Sequence, residues 1–297
     1  MSGFWYGVAA YGIWGLFPLY WKLVQHVPAL QILGHRIVWS FVALAALTTF
    51  GRGAPAPSLW HVPARVIGVY AIAAVLIGIN SFLYVYAVNA GFIVETSLGY
   101  FIAPLVNVLL GVVVLRERLR AGQWLAAALA AAGVAYLTRA YGSVPWIAAG
   151  LATSFGSYGL VKKKAPLDSL RGLTLETAVL VIPAAAYLTA LQVDGRGAFL
   201  HTGLVSDLLL VGSGLVTISP LLLFASAVRR IPLSVVGLLQ YIAPTIQFLL
   251  GVSLYDEPFS RTQFIGFAIV WIALIVFSVD GLRAGGLPPG VVAVDEA

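Results

Sequence analysis

Apolar residues gather along this chain into ten long stretches, separated by short groups of charges, prolines and glycines. A transmembrane helix needs about 20 mostly apolar residues. The stretches fall at about 3–22, 28–50, 66–90, 93–115, 121–139, 145–161, 172–192, 204–228, 234–255 and 262–281. This pattern predicts an all-α integral membrane protein with no soluble domain between its spans. The longest expected connections are Gly51 to Arg65, with Pro55, Pro57 and Pro63, and Val193 to Gly203, with Asp194, Gly195, Arg196 and Gly197. The first stretch begins at Gly3 without a basic region before it, so it reads as a retained helix rather than a cleaved leader.

An internal repeat appears when the chain is slid against itself by 140 residues. Phe101-Ile102-Ala103-Pro104 then falls on Tyr241-Ile242-Ala243-Pro244, Leu109-Leu110-Gly111-Val112 on Leu249-Leu250-Gly251-Val252, Glu117 on Glu257 and Gln123 on Gln263. A one-residue gap extends the match to Gly15, Leu19 and Lys22 against Gly156, Leu160 and Lys163, and sets His35 on Glu176. The expected halves are residues 1–140 and 141–282, with 283–297 as a disordered cytoplasmic tail rich in Gly and Pro. Each half carries an odd number of spans, so the second must enter the membrane from the opposite face. The expectation is therefore ten transmembrane helices arranged as two inverted five-helix repeats around a central cavity, a plan common among secondary transporters.

Charge agrees with this reading and narrows it. Twelve Lys and Arg residues fall on the side of the termini and four on the other, with Arg36 inside the second span. Cytoplasmic loops hold the excess of basic residues, so both termini are expected in the cytoplasm. Only 9% of residues are charged and 61% are hydrophobic, whereas a soluble domain is about a quarter charged. The net charge of +6 is dispersed, with no long basic tract for nucleic acid. The chain has no Cys, no HExxH and no GxxxxGK[ST] phosphate loop, which argues against metal, cofactor and ATP chemistry.

Several segments resemble a known family. They are Gly12-Ile13-Trp14-Gly15 with Lys22, His35-Arg36-Ile37-Val38-Trp39-Ser40, Ala87-Val88-Asn89 leading to Glu95-Thr96-Ser97-Leu98-Gly99-Tyr100-Phe101, Tyr158-Gly159-Leu160-Val161 with Lys163, Glu176-Thr177, Gln240-Tyr241 with Pro244, and Trp271-Ile272-Ala273-Leu274. With Asn107, Gly111, Glu117 and Arg118, they make the chain similar to the RarD-like permeases of the EamA family, in the drug/metabolite transporter superfamily. The resemblance covers all but the tail. It implies a transporter of the bacterial inner membrane with a cavity between inverted halves, and exporting activity, without naming a substrate.

Polar groups inside hydrocarbon are costly unless paired or wetted, which makes them candidates for function. His35 and Arg36 lie about 10 Å into the second span at 1.5 Å per residue. Arg36 could hold a carboxylate with its planar fork, with His35 as donor or proton acceptor; outward snorkelling is the alternative. Asn80, Asn107, Gln240 and Gln247 could line a cavity or bind helices together. Trp14, Trp39, Tyr100 and Tyr241 would suit an amphipathic solute. Pro104 and Pro244 are expected as a symmetric pair of kinks that let their helices line a cavity or bend during gating, with purely structural kinks as the alternative. Lys22, Glu95, Lys163 and Glu176 are candidates for gating or coupling, or else membrane-edge anchors, Glu176 standing one turn inside its span and paired with a nearby lysine. A secondary permease for a small organic solute, carboxylate-bearing or amphipathic, is the leading expectation, with the lipid bilayer as its setting. An uncoupled facilitator and an intramembrane lipid-acting enzyme are the alternatives.

Overall fold

A computed structural model describes residues 2–50, 62–89, 93–141, 146–254 and 260–283 of the chain. The tail, Glu257 and most of the Gly51 to Arg65 connection lie outside the described residues, as do the side chain of Glu95 and those of its immediate neighbours. All regular structure among the described residues is helical. In hydrocarbon no water is present to take unpaired N–H and C=O groups, and a helix satisfies them within one segment. The helices are α1 (Ser2–Gly15), α2 (Phe17–Leu23), α3 (Ala29–Phe50), α4 (Ala64–Asn89), α5 (Ile93–Val113), α6 (Ala121–Tyr141), α7 (Trp146–Lys164), α8 (Ser169–Val193), α9 (Leu204–Arg230), α10 (Leu233–Leu239), α11 (Ile242–Leu254) and α12 (Arg261–Arg283). Two spans are each made of a broken pair, α1 with α2 and α10 with α11, so the twelve helices form ten spans.

Packing follows the repeat. α1 lies on α9 as α7 lies on α4, α3 lies on α9 as α8 lies on α4, and α5 lies on α7 as α11 lies on α1. The remaining large contacts join equivalent spans to each other: α3 with α8, α5 with α10, and α6 with α12. This exchange of partners is the signature of a pseudo-two-fold axis between the halves. Equivalent residues meet on that axis. Tyr241 Oη donates to the carbonyl of Phe101 at 3.1 Å, across a separation of 140 residues, and the rings of Trp14 and Phe155 stand edge-on at 5.9 Å.

Other repeated residues cap helices. Gln123 Oε1 accepts from the Arg120 N–H at 3.0 Å, as Gln263 Oε1 accepts from the Ser260 N–H at 3.0 Å. In the second half the Ser260 hydroxyl returns the bond to the Gln263 N–H at 3.1 Å, completing a capping box. α5 ends on Arg116 in the left-handed region, φ 56°, with the Glu117 N–H reaching back to the Gly111 carbonyl at 3.0 Å. That turn aims Glu117 at the start of α10, where its carboxylate accepts from the N–H groups of Leu233 and Ser234 at 2.7 and 2.9 Å.

The two spans that carry the paired prolines differ in continuity. Pro104 lies inside an uninterrupted α5, whereas the equivalent span breaks at Gln240 and Tyr241, between α10 and α11. Pro244 removes the donor for the Gln240 carbonyl four residues earlier, which instead accepts a tighter bond from the Ala243 N–H at 3.3 Å. The first span, expected as one helix, breaks at Leu16 with Pro18 at the start of α2.

Candidate functional site

A cavity of about 410 Å³ lies between the halves. Its position follows from the two helix breaks. Pro18 deprives the Trp14 carbonyl of its helical donor, and Gln247 Nε2 of α11 takes that carbonyl at 3.1 Å. The bond ties the broken first span to the broken ninth and holds Trp14, Phe17 and Trp21 against the cavity. Gln247→Leu is expected to leave a buried carbonyl unpaired, at a cost of about 1–3 kcal/mol. Adding Pro18→Ala returns an N–H to the helix and should recover part of that loss, read as melting temperature of the detergent-purified protein.

The second span shows why only one of two neighbouring candidates faces the cavity. Adjacent helical residues are about 100° apart. Leu33, Arg36, Ile37 and Ser40 share one face and line the cavity. His35 and Trp39 share another and pack against Phe199, with ring centroids 5.2 and 6.0 Å away. His35 is thus buried against the connection before α9. Gln31 straps the same connection, donating to the Arg196 carbonyl at 2.9 Å and accepting from the Ala198 N–H at 2.8 Å. α3 reaches α9 closely at Gly214, where a Cβ would stand 2.5 Å from the Trp39 carbonyl carbon.

Arg36 is held in place by neutral groups. Its Nε donates to Thr217 Oγ1 of α9 at 3.0 Å, and its guanidinium lies 4.7 Å from the Trp21 ring centroid. Among the described residues no carboxylate lies within ion-pair distance of it. Tyr84 and Tyr100, whose rings are 6.2 Å apart, line the same cavity. The cationic fork therefore faces a space walled by phenols and an indole.

The floor is aromatic. Tyr11, Trp14, Phe155, Tyr158 and Phe224 form a continuous set of rings, with Tyr158 stacked on Phe224 at 5.9 Å. The hydroxyl of Tyr11 is buried and without a hydrogen-bond partner among the described residues. Below, Asn107 Nδ2 donates to Gln240 Oε1 at 2.9 Å, joining α5 to the break after α10. Asn107, Tyr158 and Tyr241 are fully buried.

The polar candidates thus divide. Trp14, Arg36, Asn80, Tyr100, Glu176, Gln240, Pro244 and Gln247 come together around the cavity. His35, Trp39, Asn107 and Tyr241 lie behind that wall as packing groups, and Pro104 is buried with its carbonyl close to Gly237. Asn80 serves both purposes, since its Nδ2 bonds the Leu151 carbonyl at 2.8 Å and Ser154 Oγ at 3.0 Å while its side borders the cavity. Lys163 is neither lining nor free: its Nζ donates to the carbonyls of Val228 and Ile231 at 3.1 and 2.8 Å, where a cation suits the C-terminus of α9. Lys22 is exposed near the end of α2. Glu176 pairs with a nearby lysine, Lys162, at 2.6 Å, and is 1% exposed. Lys162, Thr217, Trp21, Tyr84 and Tyr158 are site residues that sequence reasoning did not single out.

The EamA-like transporter family matches this chain twice, over residues 1–139 and 143–279. "Protein RarD" of Streptomyces exfoliatus is 45% identical over 95% of this chain and 90% of its own length. An "Uncharacterized transporter" of Vibrio cholerae is 46% identical, covering 94% of this chain and 92% of itself. One solved crystal structure, at 21% identity, superposes with a TM-score of 0.70 over 95% of this chain and 99% of that one, which shows a shared fold. The chain is a multi-pass membrane protein that belongs to the EamA-like transporter family, among its RarD-like members.

Proposed function

We propose that this transporter moves a small amphipathic organic anion, carboxylate-bearing, by alternating access. Arg36 holds the anionic group and the aromatic floor receives the apolar body. The observation that carries this reading is Arg36 itself, a guanidinium set within the cavity wall and held, among the described residues, by Thr217 and Trp21. A charge placed within hydrocarbon is costly unless it finds a partner, and an incoming anion supplies one through paired charge-assisted hydrogen bonds. The repeat of five-helix halves supports alternating access, the motion that inverted duplications serve in secondary transporters. The distribution of Lys and Arg supports both termini on the cytoplasmic side of a bacterial plasma membrane.

The test uses naphthalene-1-sulfonate, an aromatic anion whose charge is constant over the working pH range. Isothermal titration calorimetry of the purified protein should show saturable binding of this probe and none of the neutral 1-naphthalenemethanol. Equal affinity for the two would remove charge from recognition and refute the proposal.

A further inference from the structure

The cavity wall carries a second ionic group, deeper than Arg36, that anion binding alone leaves without a role. Lys162 of α7 and Glu176 of α8 are 2% and 1% exposed, with Nζ 2.6 Å from Oε1. The other carboxylate oxygen, Oε2, accepts from Tyr158 Oη at 3.0 Å. Glu176 and Tyr158 border the cavity, whereas Lys162 stands behind them. The carboxylate is thus interposed between the cavity and the ammonium.

Lys162 also has two aromatic neighbours. Its Nζ lies 5.4 Å from the Tyr70 ring centroid and 5.9 Å from that of Tyr158, and ring faces at such distances stabilise a cation. The other ionisable groups around the pair are engaged elsewhere. Tyr70 Oη, from α4, donates to the Leu167 carbonyl at 3.2 Å. Arg229, from α9, bonds the carbonyls of Ala165 and Leu167. Asp168 caps α8 through the Arg171 N–H at 3.0 Å. A buried ion pair with apolar surroundings contributes little net stability compared with well-packed hydrophobic residues, so stability alone does not account for placing it at a cavity wall.

We propose that Glu176 is a proton-binding site linked to the anion site at Arg36, so that proton and anion enter the cavity together. The inference rests on the anion reading given above. A proton from cavity water adds to the carboxylate of Glu176 and makes it a carboxylic acid. Lys162 keeps its charge against the rings of Tyr70 and Tyr158. The wall thereby gains one positive charge in a cavity already cationic at Arg36, which strengthens anion binding. By reciprocity the bound anion strengthens proton binding. On release the O–H bond dissociates to water and the carboxylate pairs again with Lys162.

Calorimetry with naphthalene-1-sulfonate, in buffers of different ionisation enthalpy and across a pH series, tests the linkage. The wild-type protein should take up a fraction of a proton per anion, and its affinity should rise as pH falls, by up to tenfold per unit. Glu176→Gln can keep the hydrogen bond from Lys162 on its amide oxygen, places an N–H donor toward Tyr158 Oη where the second carboxylate oxygen accepted, and mimics the protonated acid. It should hold the affinity at its acid-range value throughout and take up no proton. The double variant Lys162→Met/Glu176→Met, which leaves no buried charge, should likewise be independent of pH and covers the case in which Glu176→Gln does not fold. A wild-type affinity that is flat with pH, or a pH dependence that survives both variants, would overturn the linkage while leaving anion binding intact. No binding of the probe by the wild type at any pH would instead sink the anion reading itself.

Discussion

Arg36→Ala is expected to lower affinity for naphthalene-1-sulfonate by about 2–5 kcal/mol, the usual effect of removing one member of a desolvated charge pair. That corresponds to roughly thirty-fold to several-thousand-fold in Kd. Transport by reconstituted vesicles should fall with it. Membrane insertion should be unaffected, because among the described residues the guanidinium bonds Thr217 and the Trp21 ring and closes no ion pair. Arg36→Lys should recover part of the affinity as a point charge, but not the planar two-point contact. His35→Ala separates the cavity face from its neighbour. His35 packs on Phe199 behind the wall, so this variant should lose stability while keeping affinity. Full binding by Arg36→Ala would show that the site lies elsewhere.

Lys162→Met is expected to be among the most destabilising single substitutions in the chain. It strands the carboxylate of Glu176, 1% exposed, with only Tyr158 to donate to it. Breaking one side of a buried pair costs about 3–5 kcal/mol, whereas replacing both sides with apolar residues is often neutral. The double variant Lys162→Met/Glu176→Met should therefore melt near the wild-type temperature although it carries the same first substitution. The comparison is read from thermal unfolding in one detergent. If the single and double variants melt together, the two side chains are not energetically coupled.

Spans and repeat were legible because both are written in local or periodic features of the chain. Twenty-residue apolar runs report on the bilayer, and pairs such as Gln123 with Gln263 recur because each half needs the same reach-back cap at the same turn. The site was less legible, since its contacts join residues far apart. Arg36 meets Thr217 across 181 positions and Gln247 meets Trp14 across 233. Part of what was missed was nonetheless present in the spacing. The face made by Leu33, Arg36, Ile37 and Ser40 follows from i, i+3, i+4, i+7 periodicity, and separates Arg36 from His35 without any structure. Pro18 likewise marks the Trp14 carbonyl as needing an outside donor. Choosing Lys162 over Lys163 was not possible in that way. The two differ by one helical step, and the step that meets Glu176 is set by how α7 and α8 pack.

The two helix breaks bear on the state that this fold has still to visit. The second half is broken at Gln240 and Tyr241, opposite an unbroken α5, and the first half is broken at Leu16, opposite an unbroken α7. In an inverted duplication, interchanging the shapes of the halves turns the molecule to face the other side of the membrane. The opposite-facing form would then straighten α10 into α11 and bend α5 near Tyr100, releasing the Asn107 to Gln240 bond. On the alternating-access proposal, each half would serve as the template for its counterpart's other conformation. A proline shared by both, Pro104 and Pro244, would give each span the means to bend in its turn.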